Sequence, residues 1–199
     1  MPQPRTIFTT PVFNQVGRFL SWLYLTCTGW KINTPPPKEK NYVLIAIPHT
    51  TNWDFCTTLA MAFRCRVNIH WIGKHTLFKP PIGSFMRWMG GISIDRSKRE
   101  NAVDKMVDLF KQYDNFVLTI APEGTRSKVK SWKTGFYHIA SGAKVPVVLG
   151  FLNHTIKEGG FGPCFYPTGN LKADLQKIID MYRELVGDLA DTLPSPNAH

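Results

Sequence analysis

The feature that most constrains the fold is a set of short, nearly unbroken apolar runs spaced along the chain. These are YVLIAI at 42–47, FVLTIA at 116–121 and VPVVLGFL at 145–152. Each has the length and β-branched content of a strand covered on both faces; a strand wetted on one side would alternate with polar residues. VNIHWIG at 67–73 and GGISID at 90–95 read as two further strands. Helical segments fall between them. Residues 54–65 carry good helix formers and few breakers, and Val103, Met106, Val107, Phe110 and Tyr113 recur at the spacing of one buried helical stripe. LKADLQKIIDMYRELVG repeats that pattern near the end. Strand, helix, strand with buried strands predicts an α/β layered domain, its central sheet largely parallel and flanked by helices.

At 199 residues the chain has the size of one compact domain with a self-sufficient core. The proline-rich, charged stretch NTPPPKEK divides an N-terminal segment and linker, residues 1–40, from a main domain at 41–190, and DTLPSPNAH leaves a frayed tail at 191–199. In the first segment FLSWLYLTCTGW is free of charge but spans fewer than the ~20 residues that cross a bilayer. Phe13, Val16, Leu20, Leu23 and Cys27 recur at helical spacing, with Trp22, Tyr24 and Trp30 suited to a head-group boundary. Two readings stay open: a helix lying in a membrane surface, or one buried on the domain.

Charge narrows the partners. With 24 Lys+Arg against 14 Asp+Glu, the formal net charge is +10, which favours anionic partners such as lipid head groups, phosphorylated metabolites or nucleic acid. No nucleic-acid-binding motif accompanies it, and the basic residues gather near strand ends. Cys27, Cys56, Cys65 and Cys164 have neither CxxC nor zinc-ligand spacing, and no charged leader with an apolar core opens the chain. The expectation is reduced thiols and a cytoplasmic setting. His70 and His75 follow no ligand spacing and read as structural or surface residues.

Three polar clusters directly follow strand candidates, where open α/β sheets gather ligands: PHTTNWD, IDRSKR and PEGTRS. His49 and Asp54 would stand roughly 140° apart within one helix and would not meet. With His49 in the turn and Thr51 or Asn52 capping the helix, Asp54 falls in its first turn and can curl back to the imidazole. A carboxylate on Nδ1 leaves Nε2 free to take a hydroxyl proton, a general base with no enzyme nucleophile. No GxSxG elbow is present. Glu123, Gly124 and Thr125 form a tight polar turn suited to an oxyanion or phosphate, with Arg126 as a charged fork and Lys128, Lys130 and Lys133 around it. Arg96, beside Asp95, stands at another strand end. Two arginines on neighbouring strand ends would suit a phosphate dianion, though each also fits a surface ion pair.

These segments carry a resemblance. HTTNWD matches a His-x4-Asp box, GISIDR a Gly-x-Ile-x-Ile-Asp-Arg box, EGTRS a Glu-Gly-Thr-Arg-Ser box and VPVVL a Val-Pro box, in the order of the glycerolipid acyltransferases, which include the lysophosphatidic acid acyltransferases. The resemblance implies acyl transfer from acyl-CoA or acyl-carrier protein to a lysophospholipid hydroxyl, foremost lysophosphatidic acid, without an acyl-enzyme. It implies His49 as base, Asp54 as its orienter, and Arg96 and Arg126 on the acceptor phosphate. Glu123, Gly124 and Thr125 would shape the same pocket, and Lys74 in KHTLFKPPIG resembles a basic acceptor-side position. Neither metal nor redox cofactor is implied, and the N-terminal segment would rest on the cytoplasmic face of an anionic membrane, peripheral or monotopic. Other acceptors, an alternative lysolipid or an amine-bearing lipid, stay open. So does a basic membrane- or nucleic-acid-binding module without chemistry; a metal-dependent phosphoesterase using His49, Asp54 and Glu123 ranks last because carboxylates are few around the boxes.

Overall fold

A computed structural model of the chain describes residues 5–47, 52–94, 99–124 and 131–187. The chain opens with α1 (Pro11–Thr28) and β1 (Lys31–Thr34), followed by β2 (Tyr42–Ile47), α2 (Asn52–Cys65) and β3 (Ile69–Lys74). A short 3-10 turn (His75–Phe78) and α3 (Gly83–Trp88) lead to β4 (Gly91–Ile94), α4 (Arg99–Gln112) and β5 (Val117–Ile120). Then come α5 (Gly135–Ala143), β6 (Val147–Asn153), β7 (Glu158–Phe165) and α6 (Leu171–Val186). The seven strands form one sheet in the order β1-β7-β6-β2-β5-β3-β4.

From β6 to β4 neighbouring strands run parallel, and only the β6–β7 pair turns antiparallel, so the expected α/β layering and mostly parallel sheet are present. Register places Tyr42 opposite Val117 and Val43 opposite Val147, so the apolar run YVLIAI lies at the centre of the sheet. Its side chains alternate between two cores, as a period of two requires. Val43, Ile45 and Ile47 pack with Leu118, Val147 and Leu149 among residues of α4, α5 and α6, including Met106, Phe136 and Ile178. Tyr42 and Leu44 face the other way, with Phe63, Val148 and Phe161. Both faces are covered, which is why the strand reads as continuous apolar sequence.

The stretch expected to be linker contributes more than a connection. Lys31–Thr34 pairs in parallel with β7 as an edge strand, so the sheet begins before residue 41. Gly29 ends α1 in the left-handed region at φ 77°, with the Trp30 amide bonded to Leu25 O at 2.9 Å, and this closure turns the chain into β1. At the far end, Asn170 caps α6 by accepting from the Ala173 amide at 3.2 Å. Asp174 in the first turn is fully buried; it accepts from the Thr168 amide and hydroxyl and from the Tyr137 hydroxyl at 2.6, 2.8 and 2.8 Å. Burial alone would raise its pKa, but these donors outweigh burial and hold it below the usual carboxylate range.

The Phe13, Val16, Leu20, Leu23 and Cys27 stripe faces outward and is exposed. The helix packs on α2 by its other side, where Gly17 lies so close to Phe63 that a Cβ would come within 2.6 Å of the ring. No helix among the described residues is long and apolar enough to cross a membrane. The tail at 191–199 lies outside the described residues.

Candidate active site

Because β6, β2, β5, β3 and β4 run parallel, Asn153, Ile47, Ile120, Lys74 and Ile94 end at one edge of the sheet. The three polar clusters all leave from that carboxyl edge. His49, Thr125, Arg126 and Arg96 lie outside the described residues; Asp54, Glu123, Gly124 and Lys74 lie within them.

Asp54 occupies the first turn of α2, as the spacing predicts, and is 2% exposed. An acidic group there faces the free backbone amides at the positive end of the helix. Its Oδ1 lies 3.0 Å from Nε2 of His154. His154 immediately follows β6, the neighbour of β2, and its ring meets Trp30 edge to face at 5.2 Å. The sequence reading passed over His154. Its signal was the one used for the other clusters, a polar residue directly after a buried strand, but its partner depends on strand order. One turn along α2, the buried Thr57 hydroxyl lies 3.0 Å from the Tyr24 hydroxyl, tying α1 to the helix that carries Asp54.

Past β5, the Gly124 amide closes on Ala121 O at 3.1 Å and the Lys133 amide bonds Pro122 O at 2.8 Å. Gly124 sits at φ 64°, and a Cβ would come within 2.7 Å of Lys133 Nζ. Glycine is therefore favoured for its backbone angle, while the lysine end resting on it is flexible and can move aside. Beneath the edge, the Tyr182 hydroxyl lies 2.8 Å from Ile45 O and 3.0 Å from Gly150 O, bridging β2 and β6. Burial first, then the Glu123 carboxylate, raise its pKa well above the usual phenol range, so it stays a hydrogen-bond donor.

Lys74 ends β3 with its side chain exposed, two strands from β2 and about 10 Å across the sheet. One expectation is corrected. Arg96 and Arg126 follow β4 and β5, which are not neighbours, because β3 lies between them. A single phosphate gripped by adjacent strand ends is not what this order provides. His70 and His75 fall as expected. His70 is buried in β3 with its ring 4.6 Å from that of Phe116, and burial lowers its pKa to about 4; His75 is exposed.

A family model described as Acyltransferase matches residues 31–148, more than half of the chain. The chain belongs to the acyltransferase family. The matched span of this acyltransferase domain begins at β1 and ends within β6, so it takes in Asp54 and the Glu123 turn but stops short of His154. A 1-acyl-sn-glycerol-3-phosphate acyltransferase of Saccharomyces cerevisiae is 31% identical over 127 residues, covering 59% of this chain. The chain spans 40% of that relative's length. Among solved structures, the 1-acyl-sn-glycerophosphate (LPA) acyltransferase PlsC of Thermotoga maritima superposes with a TM-score of 0.61 at 19% identity, covering 90% of this chain and 78% of that one. At that identity the likeness is one of fold.

Proposed function

We propose that this acyltransferase domain moves a fatty acyl group from a thioester donor, acyl-CoA or acyl-carrier protein, to the free hydroxyl of a lysophospholipid, foremost lysophosphatidic acid. The observation that carries the reading is Asp54, a carboxylate buried in the first turn of α2, five residues after His49 and at the edge where the other family boxes emerge. Support for the acceptor comes from the yeast relative named above.

In this mechanism Asp54 accepts a hydrogen bond from the Nδ1–H of His49, which keeps its proton, and so fixes the tautomer. Nε2 takes the acceptor hydroxyl proton as that oxygen attacks the thioester carbonyl. The tetrahedral oxyanion collapses, the carbon–sulfur bond breaks, and the imidazolium proton goes to the departing thiolate. The products are an ester and a free thiol. A thioester is already activated, so a positioned base and oxyanion stabilisation, each contributing on the order of 10²–10³ in rate, suffice without a metal or redox cofactor. Thr125 offers an amide and a hydroxyl donor next to the turn that Lys133 covers, Glu123 and Gly124 shape that turn, and Arg96, Arg126 and Lys74 supply positive charge for the acceptor phosphate. Val12, Phe13, Val16, Phe19, Leu20 and Leu23 rest in the cytoplasmic face of an anionic membrane, where the acceptor resides.

The test is transfer of labelled acyl groups from both donors to a panel of lysolipids by the purified chain with membrane supplied. Labelled phosphatidic acid is the expected product. Transfer only to an acceptor without a phosphate monoester would overturn the acceptor assignment, and none from either donor to any acceptor would overturn the reaction.

A further inference from the structure

The edge of the sheet opposite the active site carries a second polar opening. Asn68 directly precedes β3, Asn115 stands two residues before β5, and Arg66 directly follows α2, so all three lie at the amino edge of the parallel strands. With Gln15 and Arg18 of α1 they line a cleft of about 400 Å³. That volume falls in the range of small-molecule sites.

The cleft is lined with donors. Asn68 is 7% exposed; its Oδ1 accepts from the Thr6 hydroxyl at 3.0 Å, and its Nδ2 is buried with no partner. Arg18 Nε is likewise buried and unpartnered. A buried donor left without an acceptor is unfavourable, and a small movement of either side chain toward the cleft would let a bound oxyanion pair it. Arg18 and Arg66 line the same cleft, and no Asp or Glu among the described residues does. The nearest carboxylate in sequence, Asp114, is exposed and has an interaction of its own.

The first half of α1 explains why this polarity is on the inside. Asn14 and Arg18 line the cleft, and Ser21 and Leu25 continue the same helical face into the buried interior. The outward face of those turns carries the exposed Val12, Phe13, Val16 and Phe19. An ordinary amphipathic helix has the reverse arrangement. We infer that the cleft bounded by Arg18, Arg66 and Asn68 binds a phosphate-bearing anion, at a site separate from the catalytic edge and beside an apolar helix face. A phospholipid head group and a free phosphate both present that chemistry, and guanidinium pairs grip it in forked hydrogen bonds.

Isotope-labelled full-length chain, titrated separately with inorganic phosphate and with monomeric short-chain phosphatidylglycerol against chloride at matched ionic strength, tests the assignment. The side-chain signals of Asn68 Nδ2 and Arg18 Nε shift saturably. Arg66→Asn keeps a residue at ease in the left-handed backbone of position 66, at φ 58°, and weakens binding by about tenfold, as does Arg18→Gln. A response to inorganic phosphate identifies a free phosphate as sufficient ligand, and a response only to the lipid identifies a head group; either supports the site. Wild-type signals of Asn68 and Arg18 that stay still with both probes overturn it. The readout is independent of acyl transfer, so failure of the proposed reaction would leave the result standing.

Discussion

At the residue scale, the acid-base groups of this domain are sorted by what their surroundings satisfy. Asp54 is buried, but the His154 imidazole 3.0 Å away meets one of its oxygens. Replacing His154 by alanine removes one of the partners of a buried carboxylate, at a cost of about 1–3 kcal/mol. Chemical denaturation should show that loss, and His154→Gln, which keeps a donor, should recover part of it. His70 presents the opposite case, with both ring nitrogens buried and desolvation the largest influence on the ring. Its pKa is about 4 in the fold and near the ordinary 6.5 when unfolded, so between those values the unfolded chain binds the extra proton. This contribution to stability is complete above about pH 6.5 and falls as pH drops toward about 4. Between about pH 7 and about pH 5 the loss amounts to about 2 kcal/mol. Urea unfolding at the two pH values measures it, and in His70→Phe, which keeps a ring against Phe116, that part of the dependence should vanish.

At the element scale, α1 shows what one linear pattern leaves undecided. Its apolar spacing is equally that of a helix on a core and of one on a membrane, and only the packing of Gly17 against Phe63 shows which side is taken. The exposed side is the more apolar one. Exchanging Phe19 and Leu20 for serine should weaken binding to anionic vesicles by at least about tenfold and leave the melting temperature unchanged, because neither side chain is buried in the domain. Sedimentation with vesicles, run beside a thermal melt, checks both halves. Other elements were hidden for a different reason. In β7 the sequence EGGFGPCF carries three glycines and a proline, residues that lower strand propensity, and its place is set by pairing with β6 and β1. The edge strand β1 is only four residues long, and α5, GFYHIASGA, has too few turns to display a helical period. Strands β2, β5 and β6 were legible because burial on both faces leaves continuous apolar runs.

At the scale of the whole molecule, the sheet order decides which motifs meet. Each box could be placed at a strand end from sequence, since composition changes abruptly where an apolar run stops. Order across the sheet could not, because it depends on crossovers with no local signature. Two consequences follow: His154 reaches Asp54 because β6 lies beside β2, whereas β4 and β5, the strands that precede Arg96 and Arg126 in sequence, have β3 between them. In the proposed reaction the carboxyl edge performs acyl transfer with His49 as base and Asp54 as its orienter. The most direct measurement compares wild type and His49→Ala for labelled acyl transfer to lysophosphatidic acid on vesicles, with vesicle binding measured in the same samples. The account predicts a loss of at least about 10²-fold in transfer with binding unchanged. Transfer at the wild-type rate by a folded, vesicle-bound His49→Ala protein would contradict it.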